Sequence, residues 1–134
     1  MESAAVRRRT MQAVRSKDTK PERTVRQLVT QLGYRYRLHR ADLPGKPDLS
    51  FIGRRKVIFV HGCFWHGHGC ARGARQPKAN REYWKAKIAR NRDRDGTHLK
   101  KLAANGWCHL VIWECDLKAP EAVRKRLARF LSVA

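Results

Sequence analysis

Four consecutive apolar residues, Val57-Ile58-Phe59-Val60, constrain this chain's fold more than any other stretch. A half-buried strand alternates apolar and polar side chains, whereas a run with no polar face must be covered on both sides. The run therefore predicts a central strand with cover above and below it. Before it, Asp48 to Ile52 forms a second short apolar run, joined through Gly53-Arg54-Arg55, and this spacing predicts a hairpin. Trp107 to Trp113 predicts another buried strand. The alternation in Tyr34-Arg35-Tyr36-Arg37-Leu38-His39 predicts a further one, followed by a turn at Pro44-Gly45-Lys46-Pro47.

Three helices supply the cover. Thr19 followed three residues on by Glu22 makes a capping box, with Pro21 at the first helical position. Val25, Leu28, Val29 and Leu32 then recur at helical spacing until Gly33 closes the segment. A long helix is expected from about Asn80 to Ala104, carrying Trp84, Ile88, Leu99, Leu102 and Ala103 and ended by Gly106. Pro120 opens the last one, with Val123, Leu127, Phe130 and Leu131 on one side. The order is helix, three strands, helix, strand, helix, which reads as an α/β domain with a mixed sheet flanked by helices. At 134 residues the length suits one domain. Residues 1–18 read as a basic N-terminal arm that orders on a partner, residues 19–134 as a single domain, and 62–79 as an irregular loop.

Charge narrows the function. Thirty-one Lys and Arg stand against eleven Asp and Glu, a formal net charge of +20. The basic residues run the length of the chain rather than forming one tail. Solubility alone rarely demands a charge so far from zero, so a polyanion, and nucleic acid first among polyanions, is the expected partner. No run of 18 apolar residues occurs, and no apolar segment follows the arginine-rich start, so neither a membrane span nor an export signal is expected. The expected setting is cytoplasmic.

His61-Gly62-Cys63-Phe64-Trp65-His66-Gly67-His68-Gly69-Cys70 holds two cysteines and three histidines in a stretch with little aliphatic content to order it. Thiolate and imidazole at this density favour tetrahedral zinc. Cys63, His68 and Cys70 are the first three candidate ligands. A distant fourth would tie the loop to the sheet, and Cys115 fits. Cys108 competes, but it falls mid-strand, where a small apolar side chain is expected anyway. A disulfide reading loses to the lack of an export signal. Phe64 and Trp65 in this loop, and Trp84 at the start of the long helix, are aromatics that can wedge between base pairs or stack on bases. Ordinary core packing is the alternative, most of all for Trp84, which Ile88 follows four residues later.

Asp48 begins a strand directly after Pro47. A carboxylate there, beside an adjacent strand, is placed to hold Mg²⁺ against a phosphate. Glu22 and Asp95 are the other acids expected to face inward. Near a phosphate-binding surface an acid would repel its ligand unless a cation bridged them. Otherwise Asp48 is a turn residue, Glu22 a capping-box acceptor and Asp95 a solvated helix charge. With His68 assigned to zinc, His66 and His61 remain to take a proton from attacking water or give one to a leaving oxygen, or simply to bond a backbone carbonyl.

Pro44-Gly45-Lys46-Pro47-Asp48, the run from Val57 to His66, Glu82-Tyr83-Trp84 with Lys87-Ile88, and Gly106-Trp107 with Trp113-Glu114-Cys115 together resemble the bacterial very-short-patch-repair DNA mismatch endonucleases. The resemblance runs from about Thr10 to Phe130. It implies a restriction-endonuclease-like fold with a structural zinc site. The implied activity is a nick in one strand of double-stranded DNA, 5′ of the thymine in T·G mismatches left by 5-methylcytosine deamination.

By the same resemblance Asp48 and the backbone carbonyl of Val60 would hold Mg²⁺. His66 would activate water, with Glu22 and His61 assisting and Asp95 in support. Cys63, His68, Cys70 and Cys115 match the zinc ligands. Phe64, Trp65 and Trp84 match aromatics that insert beside the mispair, and Met11 matches a residue that reaches into the minor groove. One active site per domain suffices for a nick, so a monomer is expected, at the nucleoid, with mismatch-repair proteins as candidate partners. Gly67 and Gly69 interrupt the His-rich run usual in the family, but the flanking ligand positions survive. The Asp…Glu-x-Lys signature of other nucleases with this fold is absent, with Phe59-Val60-His61 in its place. Two other readings stay open: a non-catalytic, zinc-stabilised DNA-binding module, and a restriction enzyme that cuts both strands.

Overall fold

The computed structural model describes residues 19–63 and 80–132. In chain order these form α1 (Lys20–Gln31), β1 (Arg37–Leu38), β2 (Leu49–Phe51), β3 (Lys56–His61), α2 (Arg81–Ala104), β4 (Cys108–Trp113) and α3 (Pro120–Ser132). Short 3-10 turns occupy Ile52–Arg54 and Glu114–Lys118. The strands lie in the order β1-β2-β3-β4; β1–β2 and β2–β3 are antiparallel and β3–β4 is parallel. A parallel neighbour needs a crossover rather than a hairpin, and α2 lies within that connection. The mixed sheet flanked by helices is therefore as the sequence implied.

The apolar run of β3 is covered on both faces. Ile58 packs with Val25, Leu28 and Val29 of α1, Leu49 and Phe51 of β2, Ile112 of β4, and Val123, Leu127 and Leu131 of α3. Val57 and Phe59 point the other way and pack with Leu102, beside Leu99, Trp107 and Val111. Each such side chain, fully buried, contributes about 1.5–3 kcal/mol of transfer free energy. The β2–β3 connection turns at Arg55, which takes the left-handed conformation (φ 54°).

Three expectations need correction. The strand expected at 34–39 shrinks to Arg37–Leu38, because only these two residues pair with β2. The strand ending at Trp113 is not wholly buried: of β4 only Ile112 is, and among the described residues β4 lies at the edge of the sheet. The long helix begins at Arg81 and buries only Leu102 among the described side chains, with Ala103 exposed. Its apolar contacts with the sheet come from Leu99 and Leu102 near its C-terminal end.

Two cations fasten α3. Lys56, buried at the start of β3, donates from Nζ to the Phe130 carbonyl and lies over the Phe130 ring. Arg54 donates to the Leu131 carbonyl at 3.1 Å and stacks on Tyr34, 4.9 Å from its centroid. Cations at a helix C-terminus satisfy its last carbonyls and oppose its dipole. Among the described residues, no helix is long and apolar enough to cross a membrane.

Candidate active site

Glu22 enters the interior because of where it falls on α1. It lies three residues before Val25 and seven before Val29, on the stripe that faces the core, and it is 2% exposed. The N-cap bond forms as expected, from the Glu22 amide to Thr19 Oγ1 at 3.4 Å. The Glu22 carboxylate is turned inward, where its Oε1 meets His39 Nε2.

Asp48 stands at the entry to β2, held by Pro47, which is itself buried. Its Oδ2 accepts a hydrogen bond from the Val60 amide at 2.6 Å, so the ends of two adjacent strands are joined through this side chain. Val60 thus meets Asp48 through its N–H. Burial, with the charge of Glu22 beside it, pushes the Asp48 carboxyl up to about 7, while the Val60 bond pulls the other way and is outweighed.

His39 completes the group and was not among the sequence candidates. Side-chain ligand atoms of Glu22, His39 and Asp48 lie within 4.8 Å of one another. The signal for it lay in the register: Leu38 pairs with Leu49, so His39 stands opposite Asp48, and its amide donates to the Asp48 carbonyl at 3.3 Å. Two carboxylates and an imidazole converging where burial raises the pKa of one acid suit a divalent cation, whose charge would oppose that burial penalty.

The other candidates fall into two groups. His61, at the end of β3, is buried with its ring 5.7 Å from Phe59 and 5.1 Å, edge-on, from Trp113. It follows Val57 and Phe59 on the α2 side of the sheet and is not a member of the Glu22–His39–Asp48 group. Asp95 is half-buried midway along α2. Trp84 is half-buried near the start of α2, edge-on to Tyr83 and 5.7 Å from Lys87 Nζ, and belongs to neither core cluster. Met11, Phe64, Trp65, His66, His68 and Cys70 lie outside the described residues, as does the arm 1–18.

Two of the four expected zinc ligands are brought together. Cys63 is fully buried just beyond β3, and its Sγ accepts a hydrogen bond from the Cys115 amide at 3.4 Å. Neither is in a disulfide. The competitor, Cys108, is not mid-strand in a buried setting: it is the first residue of the edge strand β4 and is exposed.

Comparison with known proteins bears on this geometry. A family model described as DNA mismatch endonuclease Vsr matches residues 2–72. The chain is 54% identical over 125 residues to the type II nicking enzyme V.XorIIP of Xanthomonas oryzae pv. oryzae, covering 93% of this chain and 91% of that protein. It is 40% identical over 121 residues to the type II nicking enzyme V.NmeAIP of Neisseria meningitidis, covering 90% and 86%. It is 37% identical over 132 residues to the DNA mismatch endonuclease Vsr of Escherichia coli strain K12, covering 95% and 84%.

Proposed function

The chain belongs to the DNA mismatch endonuclease Vsr family and is a DNA endonuclease; from that premise we propose that it nicks one DNA strand 5′ of the thymine in a T·G mismatch, using a divalent ion, Mg²⁺ by preference, at Glu22 and Asp48. The observation that carries this reading is the convergence of two inward-facing carboxylates where β2 begins beside the end of β3. Two carboxylates brought together away from water repel each other and are costly unless a cation lies between them. The relatives' names, nicking enzyme and mismatch endonuclease, support a single-strand cut at a mispair.

In this reading Asp48 and Glu22 would hold the ion, with the Val60 carbonyl as the main-chain ligand that the family resemblance implies. When bound, the ion neutralises charge building on the phosphate and lowers the pKa of water. His66 takes the proton from the attacking water as its oxygen bonds to phosphorus. The phosphorus–oxygen bond to the adjoining nucleotide breaks, and the departing oxygen takes up a proton. His61 and Asp95 support the surrounding groups. Cys63, His68, Cys70 and Cys115 would bind a structural zinc, which would order a stretch with little aliphatic content. Trp84, Phe64, Trp65 and Met11 would contact the mispair, with the basic surface holding the flanking phosphates. The protein would act as a cytoplasmic monomer at the nucleoid, with mismatch-repair proteins as candidate partners.

The test is a panel of labelled duplexes carrying every mismatch in varied flanking contexts, read at nucleotide resolution with Mg²⁺ or with EDTA. The expected result is one Mg²⁺-dependent nick, 5′ of the T of T·G. Binding without cleavage would leave a docking module, and breaks in both strands of fully paired plasmid would make it a restriction enzyme.

A further inference from the structure

We propose that His39 is a positioning residue of the hydrolytic centre, holding the buried Glu22 carboxylate beside Asp48 so that both acids face one divalent ion. The inference rests on the reading of Glu22 and Asp48 as the ion-holding pair.

The contact is built rather than incidental. The Glu22 side chain is 3% exposed and that of His39 13%, so their bond forms largely away from water, where a carboxylate lacking a donor would be costly. The His39 backbone is tied to the strand carrying Asp48 through the bond from its amide to the Asp48 carbonyl. One ladder position thus fixes the ring and the second acid together.

His39 also has a φ of 49°, in the left-handed region, which costs a residue with a side chain about 1 kcal/mol or more. A glycine would relieve that cost but could not reach Glu22. Strained backbone kept for a side-chain contact at a cluster of candidate ligands is the pattern of a functional position. Groups that orient metal ligands set affinity and rate through the ligand they hold.

His39→Asn and His39→Gln separate this role from bulk structure. Asparagine tolerates the left-handed backbone, but its amide is too short to reach Glu22. The glutamine amide nitrogen can take up the place of Nε2. In the full chain, Mn²⁺ affinity would be measured without DNA by paramagnetic resonance titration, alongside kcat and KM for nicking a T·G duplex and the urea midpoint. His39→Asn should weaken Mn²⁺ binding and lower kcat by about ten- to a hundredfold, with KM for DNA unchanged within about threefold and folding intact. His39→Gln should recover most of both.

Wild-type Mn²⁺ affinity in His39→Asn, while Asp48→Asn no longer binds Mn²⁺, would overturn the role of His39 and leave the ion-holding pair standing. Equal impairment in the Gln and Asn variants would also overturn it. Unchanged Mn²⁺ binding in Asp48→Asn would overturn the pair itself, and His39 with it.

Discussion

Asp48 Oδ2 accepts the amide hydrogen of Val60 at 2.6 Å, across twelve residues of chain. A single side chain therefore joins the start of β2 to the end of β3, next to the place where α1 delivers Glu22. The bond orients the Asp48 carboxyl, which also shares a side-chain hydrogen bond with Glu22. It gives Asp48 a structural duty beside the chemical one proposed for it, and the two respond differently to pH and to substitution.

The first prediction concerns pH. Burial, then the neighbouring Glu22 charge, raises Asp48 to about 7, against an ordinary value of 3.8. Between those values the folded chain binds more protons at this group than the unfolded chain, so its contribution to stability declines as pH rises from about 4 to about 7 and is level above that. Asp48→Asn does not titrate, and its amide oxygen can still accept from Val60. With no Mg²⁺ or Mn²⁺ added and the zinc retained, the stability of Asp48→Asn relative to the wild type should rise by about 2–3 kcal/mol between pH 5 and pH 8. Urea melts at the two pH values check this, and an unchanged difference would contradict it.

The second concerns zinc. Cys63 Sγ and the Cys115 amide are in contact, so the loop after β3 and the turn after β4 share an anchor. Elemental analysis of protein purified without added metal should find one zinc per chain. Cys63→Ser or Cys115→Ser should bring it near zero and lower the melting temperature steeply, since a structural zinc is worth on the order of 10 kcal/mol apparent. Cys108→Ser should retain the metal. Full zinc in Cys115→Ser would remove Cys115 from the site.

The third concerns the C-terminal helix. Lys56→Met keeps the buried stem but removes the donor to the Phe130 carbonyl. It should cost about 1–3 kcal/mol in urea unfolding while nicking per folded molecule stays unchanged. A loss of activity without a loss of stability would show that this lysine serves the reaction instead.

How far the sequence discloses this arrangement depends on the element. The apolar run of β3 and the turn at Gly53-Arg54-Arg55 define the centre of the sheet, because a strand without a polar face has few other homes. The exposure of Cys108 on β4 is not legible locally: it follows from β4 being last in the sheet, a fact of topology rather than of its own residues. Glu22 is ambiguous in sequence, since one residue serves both the helix cap and the interior, through its amide and its carboxylate respectively. His39 is invisible to spacing rules, being nine positions from Asp48 with no motif between them. It becomes visible only when the strand ending at Leu38 is paired antiparallel to the one beginning at Leu49, across the Pro44-Gly45-Lys46-Pro47 turn.

The central claim is that Asp48 serves the cleavage step rather than DNA binding, and the most direct measurement is single-turnover nicking of a labelled T·G duplex by Asp48→Asn beside the wild type, with DNA affinity measured on the same preparations. Nicking should fall by at least about a hundredfold with affinity held within a few-fold. Nicking at the wild-type rate would contradict the account.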